Sequence, residues 1–380
     1  MALANTPEAK SHYRCYADES PGDPPMYALQ WHQQCETPSS PAPQPLSAPQ
    51  LSTLTPEEQR TYALAVRALV QGRTIWTPHL NSVMDNLTAA EKWNRQRGPG
   101  AKTIAALSGE NGVGKSTIVR QWAREKYLEW TATLTPRVRE GLPVVASSDN
   151  NDAIFVPIVW VNLYSAAQIK DLNAQLLNFF GLPEDGKKVV QNASPIRNQT
   201  HRVIRACQRH QTRLVIIDDI HLLKASEKQG RQVLDHVKHL NTELGELGIT
   251  MVLVGANLEH GELYADPQIS ARLDAQTLGP MPFRTKREVI QWQEILADKE
   301  EELRDYLPNI HFGILHIDQG KYLWARTQGY LGDLSTLIAG ATYQAILDNS
   351  LTLSKEHFET VRLSSRAETY FAKTADKAKR

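Results

Sequence analysis

The middle of the chain alternates short apolar runs with longer amphipathic stretches. Apolar, β-branched runs predict strands over Thr103–Leu107, Phe155–Leu163, Leu214–Ile217, Thr250–Val254 and Gln276–Leu278. Apolar residues at helical spacing predict helices over Ser116–Trp130, Ala166–Phe180, Ile196–His210 and Ser226–Leu247. Strands that alternate with helices form a parallel sheet covered by helices on both faces. The pattern therefore predicts an α/β fold.

Beyond Thr285 the chain shows only helical periodicity. Helices are predicted over Lys286–Glu301, Leu315–Thr327, Leu334–Asp348 and Ser354–Val361. We therefore predict a helical subdomain over 285–365, preceded by an α/β domain over 55–284 and followed by a basic tail over 366–380. The α/β domain begins with a predicted helix, because Thr55 is a good N-cap and Pro56 suits the first turn.

Residues 1–54 are rich in proline, serine and glutamine. The prolines at 38, 41, 43, 45 and 49 disfavour helix, so we predict a flexible arm. His12, Cys15, His32 and Cys35 could supply zinc ligands. The long gap between the two cysteines, without a C-x-x-C pair, argues against such a site.

Charge and cysteine content narrow the functional classes. Lys+Arg and Asp+Glu are equal at 42 each, so a nucleic-acid surface requires local segregation of charge. The 3 cysteines are too few for a disulfide framework, which suggests a reducing compartment. Apolar runs are too short to span a membrane, and the N-terminus lacks the order of a signal peptide. We expect a cytoplasmic protein without a membrane partner.

One loop carries a phosphate-binding motif. Residues 109–116 fit G-x-x-x-x-G-K-[ST], directly after a predicted strand and at the start of a predicted helix. In such loops backbone N–H groups surround the phosphates, Lys115 reaches the β- and γ-phosphate oxygens, and the Ser116 hydroxyl can ligate Mg²⁺. The predicted nucleotide-binding residues are Gly109, Glu110, Asn111, Gly112, Val113, Gly114, Lys115, Ser116 and Thr117. The alternative is a glycine-rich turn that binds nothing.

Two carboxylates follow the apolar run that ends at Ile217. Asp218 is the predicted second Mg²⁺-organising residue, and Asp219 is predicted to orient the attacking water. Glutamate is more usual in the second role, and aspartate is one methylene shorter. Slow turnover is expected, because a displacement of about 1 Å can cost about a hundredfold in rate. The alternative is that Asp219 only caps the following segment.

Further stretches extend the motif set beyond the loop and the acidic strand. They are Arg73–Pro78, Ile217–Leu223, Val252–Asn257, Asp266–Leu273 and Gly329–Leu334. With these stretches the chain resembles the AAA+ ATPases, and among them the TniB and TnsC type of transposition ATPase with its IstB-like relatives. The resemblance covers about residues 70–350. It implies an AAA+ parallel sheet between helices, followed by a small helical lid.

The resemblance also implies roles for individual residues. Asn257, or Ala256 beside it, falls at the sensor-1 position, and only Asn257 has an amide that can reach a γ-phosphate or the lytic water. A loop-capping asparagine is the alternative. Arg272 matches the arginine that the family sends into the neighbouring subunit's site, the alternative being a surface arginine. Asp333 occupies the turn where many AAA+ proteins carry a sensor-2 arginine, so no sensor 2 is assigned.

For the whole protein the resemblance implies ATP- and Mg²⁺-dependent homo-oligomers, as rings or helical filaments on double-stranded DNA. Such assemblies mark a target and engage a transposase and target-selection proteins. Candidate DNA contacts are Arg137, Arg139, Lys170, Lys377, Lys379 and Arg380. Because no base-reading element is recognisable, phosphate contacts and sequence-tolerant binding are expected. A solvated basic face is the alternative for each residue.

Two other functions fit the same motifs. A replication initiator or helicase loader would share the fold and the DNA partner. A nucleotide-switched protein scaffold, as in signalling or defence, would fit slow hydrolysis at Asp219. Stimulation of ATP hydrolysis by DNA separates the DNA-acting classes from the scaffold.

Overall fold

A computed structural model of the chain describes residues 27–37, 42–135, 137–146, 152–164, 168–181, 195–222 and 230–378. The chain divides into two compact units. The sheet unit comprises the described residues of Met1–Thr37, Val83–Gly109 and Ile118–Thr277. The helical unit comprises those of Pro38–Ser82, Glu110–Thr117 and Leu278–Arg380. Each unit is assembled from separate segments, whereas the domains predicted from the sequence are continuous.

The strands in the described part of the chain confirm the predicted parallel sheet. They are β1 Ile104–Gly109, β2 Val138–Arg139, β3 Leu142–Ala146, β4 Asp152–Ile154, β5 Ile158–Asn162, β6 Leu214–Asp218, β7 Thr250–Gly255 and β8 Leu273–Leu278. The main sheet has the order β5-β6-β7-β1-β8, and the pairings between β5, β6, β7 and β1 are parallel. All residues of β1, β6 and β7 are buried, as expected for strands covered on both faces.

Helices make up most of the remaining described residues. They are α1 Ala28–Glu36, α2 Ala48–Ser52, α3 Pro56–Gly72, α4 Pro78–Gln96, α5 Lys115–Thr131, α6 Ile169–Phe179, α7 Pro195–Arg209, α8 Gly230–Glu246, α9 Glu262–Ala265, α10 Pro267–Ser270, α11 Lys286–Leu303, α12 Gly320–Thr327, α13 Leu331–Leu347, α14 Lys355–Thr360 and α15 Ser365–Ala378. Shorter helical turns cover Ile220–Leu222, Leu258–His260 and Ile314–Asp318. Every predicted helix has a counterpart, whereas α1, α2, α4, α9, α10 and α15 were not predicted.

The segment predicted to be a flexible arm contains two helices, which corrects that prediction for α1 and α2. The indole of Trp31 is buried and stacks on Trp160 with ring centroids 5.8 Å apart. The Arg124 Nε donates to the carbonyl oxygen of buried Cys35 at 3.0 Å. These long-range contacts fix the position of α1, and no local sequence pattern predicts them.

The zinc ligands considered for the N-terminal segment are only partly described. His12 and Cys15 lie outside the described residues. The His32 ring is hydrogen bonded to the Tyr127 hydroxyl at 2.7 Å. Within the described part of the chain, His, Cys, Asp and Glu side chains form no group of three or more that could hold a metal ion.

The helical unit has its own core, in which α3 packs against α13. Helix α3 begins as predicted, because Thr55 and Glu58 form a capping box. Buried Trp292 of α11 donates from Nε1 to the Gly320 carbonyl oxygen at 2.9 Å, which joins α11 to α12. Most of the segment predicted as a basic tail, 366–380, belongs to α15.

A small antiparallel sheet of β2, β3 and β4 lies outside the sequence prediction. It is joined to the residues that follow α7, because the Gln211 Nε2 donates to the Ala146 carbonyl oxygen at 2.8 Å. The ring of His210 is hydrogen bonded to the Ile154 carbonyl oxygen, also at 2.8 Å. These contacts place the small sheet beside the C-terminal end of α7.

None of the described helices combines the length and the apolar character needed to cross a membrane.

Candidate nucleotide site

The phosphate-binding motif forms a loop that leads from β1 into α5. Gly112 and Gly114 have φ angles of +86° and +96°, which residues with a side chain rarely adopt. A Cβ at either position would meet no atom within 4 Å, so the loop backbone borders open space. Helix α5 begins at Lys115, and its N-terminal N–H groups favour an anion there. The loop therefore fits a bound phosphate group.

Lys115 is buried, and its Nζ donates to the carbonyl oxygen of Glu110 at 2.8 Å. The ammonium thus lies over its own loop. From this position the lysine of a P-loop contacts the phosphate oxygens. Ser116 follows as the second residue of α5 and is half-buried. These positions agree with the nucleotide-binding set predicted from the sequence, whose roles stay predictions.

The start of α13 packs on this loop. The Tyr330 hydroxyl donates to the Glu110 carboxylate. Burial and this hydrogen bond raise the pKa of Tyr330, so the phenol remains a neutral donor at physiological pH. A Cβ on Gly332 would lie 3.3 Å from the Gly112 carbonyl oxygen, which shows how close the two backbones are.

Arg366 reaches the same region from α15. Its Nη2 lies 2.6 Å from Asp333 Oδ2, and its guanidinium lies over the Tyr330 ring. Asp333 occupies the position at which no sensor-2 arginine was assigned. An arginine from another helix, Arg366, lies beside it. Sequence reasoning missed Tyr330 and Arg366. The stretch Gly329–Leu334 pointed to the first, but nothing local points to an arginine on another helix.

In the sheet unit, Asp218 and Asp219 stand at the carboxyl end of β6 in different surroundings. Asp218 is buried, and its Oδ1 accepts from the Asp219 backbone N–H at 2.9 Å. Asp219 is only partly exposed and has a φ of +54°. The His221 Nδ1 lies 3.9 Å from Asp219 Oδ1 but accepts from the Ala256 N–H at 3.1 Å. Because that nitrogen is an acceptor, the imidazole has no Nδ1 proton for Asp219.

The loop after β7 brings Asn257 to the same edge of the sheet. Asn257 is exposed, has a φ of +47° and makes no side-chain cap hydrogen bond to the turn that it precedes. The turn is joined to β1, since the Leu258 N–H donates to the Ser108 hydroxyl oxygen at 2.8 Å. The Ser108 hydroxyl donates in turn to the Glu259 carboxylate, which lowers the pKa of Glu259. Parallel pairing of β6, β7 and β1 thus gathers Asp218 and Asn257 at one edge, while Ser108 and Glu259 were not foreseen.

Arg272 lies at the other end of the strands, beside the first residue of β1. Its carbonyl oxygen accepts from the N–H of Ile104, the first residue of β1. Five residue steps along β1 correspond to about 17 Å, so Arg272 is not brought together with Asp218 and Asn257 within the sheet unit. The segment before it is held by Asp266, whose carboxylate caps α10 and lies 2.8 Å from Lys238 Nζ.

The predicted DNA contacts have unlike surroundings. Arg137 forms a two-bond ion pair with Asp152, at 2.9 and 3.3 Å. Arg139 is exposed and donates to the Asp152 carbonyl oxygen at 3.1 Å, and Lys170 is exposed on α6. Lys377 lies in α15, whereas Lys379 and Arg380 lie outside the described residues. The described candidates therefore do not share one element.

Comparison with known proteins identifies the family. The family model described as Bacterial TniB protein matches residues 65–281, which is more than half of the chain. The chain belongs to the TniB family. No protein with a curated description matches it. The matched segment of this TniB protein includes the predicted site residues from Gly109 to Arg272, and Tyr330 and Arg366 lie beyond it.

Solved structures confirm the AAA+ fold. The TniB chain is similar to Cdc6p from Pyrobaculum aerophilum, with 14% identity and a TM-score of 0.51 over 76% of this chain and 69% of that chain. It is also similar to Drosophila ORC bound to DNA, with 13% identity and a TM-score of 0.51 over 86% of this chain and 67% of that chain. The recognised family and the fold class, including the C-terminal helical region, are therefore confirmed.

Proposed function

We propose that this TniB protein is an oligomerising ATPase that binds double-stranded DNA without sequence preference and, as a transposition target selector, recruits a transposase. One observation carries the proposal. The loop at 109–116 combines left-handed glycines, open space and a buried lysine at the start of a long helix. This arrangement suits a triphosphate, and the family supplies the link to transposition.

In this proposal the loop holds ATP, and Ser116 and Asp218 are the Mg²⁺ ligands. A bound Mg²⁺ would neutralise charge on the phosphates. Partly exposed Asp219 orients the attacking water. Exposed Asn257 offers its uncommitted amide to the γ-phosphate or to that water. A buried carboxylate for the cation and a more accessible one for water agree with these two roles.

The proposed oligomer rests on Arg272. Its distance from the edge that carries Asp218 and Asn257 supports action on the nucleotide of a neighbouring subunit, where a guanidinium stabilises transition-state charge. Rings or helical filaments would satisfy this requirement. The proposed DNA partner is supported by the family and by the ORC neighbour, which was solved bound to DNA.

The test compares Lys115→Ala with Lys92→Ala, which removes an exposed lysine of α4. Binding of a fluorescent ATP analogue, ATP hydrolysis with and without plasmid DNA, and electron microscopy with a non-hydrolysable analogue are the readouts. Lys115→Ala should lose nucleotide binding and nucleotide-dependent assembly, because no other cation of the loop replaces it. Lys92→Ala should match wild type. ATP-dependent assembly of Lys115→Ala on DNA would refute the proposal.

A second candidate is a replication initiator or helicase loader, which the fold likeness to Cdc6p and ORC favours. Both candidates predict DNA-stimulated hydrolysis, so the partner decides. Retention of a transposase by the ATP-bound DNA assembly supports the target selector, and retention of a replicative helicase supports the initiator. Hydrolysis that ignores DNA would favour a nucleotide-switched protein scaffold instead.

A further inference from the structure

Helix α7 is the longest described helix without an acidic residue. Its fifteen residues contain Arg197, Arg202, Arg205 and Arg209 as well as His201. The complete chain has no net charge, with 42 basic and 42 acidic residues. Such local segregation of charge is what a nucleic-acid surface requires in a neutral protein.

The exposed basic residues of α7 form a line on one face, which we call the basic stripe: Arg197, His201, Arg205 and Arg209. All four residues are exposed. Spacing by four residues keeps them on one slowly turning face of the helix. The stripe rises about 18 Å from end to end, which is the axial length of about five nucleotides in one strand of duplex DNA.

The opposite face of α7 fixes the direction of the stripe. Thr200, Val203 and Cys207 are buried. The Asn173 Nδ2 of α6 donates to the Thr200 hydroxyl oxygen at 3.0 Å, within the packed contact between α6 and α7. The helix therefore cannot roll without exposing this apolar face, and the basic stripe stays turned to solvent.

The stripe continues toward the small antiparallel sheet. Burial lowers the pKa of His210, and the nearby charges of Arg209 and Arg139 lower it further. Arg139 on β2 donates to the Asp152 carbonyl oxygen, and the ring of His210 is hydrogen bonded to the Ile154 carbonyl oxygen of the same strand, β4. These two bonds connect the end of α7 with Arg139. Arg137 differs because its charge is paired with Asp152. One of the sequence-predicted DNA contacts thus joins the stripe.

We propose that the basic stripe of α7, extended by Arg139, contacts the phosphates of duplex DNA. This inference rests on the proposed function and names the surface that carries it. A guanidinium has five N–H donors, so an arginine that contacts its own protein still has donors for a phosphate. Contacts of this kind position the duplex without reading bases, which agrees with sequence-tolerant binding.

The test measures DNA affinity against salt concentration on two duplexes of unrelated sequence, with a non-hydrolysable ATP analogue. The stripe variant combines Arg197→Ala and Arg205→Ala. The control combines Arg60→Ala and Arg287→Ala, which remove the same charge from exposed positions of α3 and α11. Each lost phosphate contact should reduce the slope of log K against log salt by about 0.9, so the stripe variant should lose about 1.8 per protomer. The control should keep the wild-type slope.

Two further measurements keep the result unambiguous. ATP hydrolysis without DNA should be unchanged in the stripe variant, which shows that the fold is intact. Substitution of the same two arginines by lysine should restore the slope, because the charge is retained. An unchanged slope in the alanine variant, or preference of the wild type for single-stranded RNA, overturns the inference. A wild type that binds no nucleic acid in any nucleotide state refutes the proposed function instead.

Discussion

Asp218 and Asp219 are neighbours in sequence but have different chemical environments. Asp218 is 4% exposed and lies at the end of a buried strand, whereas Asp219 is partly exposed and has a left-handed backbone conformation. The left-handed backbone conformation at Asp219 gives the two carboxyl groups different surroundings. The alternative that Asp219 is only a cap finds no support in a side-chain cap hydrogen bond among the described residues.

We expect Asp219→Asn to keep ATP binding and to lose hydrolysis by about a hundredfold or more, because the amide cannot take a proton from water. Nucleotide-dependent assemblies should then persist after wild-type assemblies have dissolved. Phosphate release and assembly lifetime by light scattering are the measurements. Asp85→Asn, on the exposed face of α4, is the control. Wild-type turnover in Asp219→Asn would remove this residue from the mechanism.

At this scale the sequence predicts residues whose role depends on local backbone. Lys115 and Asp218 are recognisable because a strand, a turn and a helix N-terminus define their positions within a few residues. Arg366 is not recognisable, since it meets Asp333 and Tyr330 only after α15 has packed on α13 and α12. No spacing rule in one sequence encodes that meeting.

Among the elements, buried strands and amphipathic helices were predictable, and elements that depend on distant partners were not. β1, β6 and β7 are mostly apolar and fully buried, as expected for strands of a covered sheet. Both residues of β2 are exposed, so β2 has no hydrophobic signal of its own. Helix α1 precedes the prolines at 38–49 and is held by the burial of Trp31.

The turn between α12 and α13 should be intolerant of side chains. Gly329 has a φ of +78°, and a Cβ there would lie 2.0 Å from the Met281 carbonyl oxygen. We expect Gly329→Ala to lower the free energy of unfolding by at least about 1–3 kcal/mol and to weaken ATP binding, because Tyr330 follows directly. Denaturant unfolding and nucleotide titration measure the two effects.

Gly72→Ala is the matched control for that substitution. Gly72 ends α3, and a Cβ on it would meet nothing within 4 Å. Alanine should therefore leave stability unchanged or raise it by about 0.5–1 kcal/mol. Equal effects of the two substitutions would show that the Gly329 turn is not constrained.

For the whole assembly, we expect catalysis to exist only between subunits. Arg272→Ala should retain ATP binding and lose hydrolysis by about a thousandfold or more if the guanidinium is a full arginine finger. Specific activity of the wild type should rise with protein concentration. A mixture of Arg272→Ala and Lys115→Ala should recover part of the activity, because a mixed interface pairs an intact loop with an intact arginine.

The measurement is steady-state ATP hydrolysis at fixed total protein over a range of mixing ratios. A mixture of Arg272→Ala and wild type calibrates simple dilution. Two results together would mean that Arg272 acts within its own chain or not at all. The specific activity of the wild type would be independent of protein concentration, and the mixture of Arg272→Ala with Lys115→Ala would recover no activity.

The contact between the phosphate loop and the start of α13 limits how the chain can be recombined with its relatives. Glu110–Thr117 and the helices after Leu278 belong to the same compact unit, joined through Tyr330 and Gly332. A chimera that takes its C-terminal helices from another family member also exchanges part of the proposed nucleotide site. Substitutions in the loop and in the segment 329–333 should therefore covary among family members, even though more than two hundred residues separate the two segments in the chain.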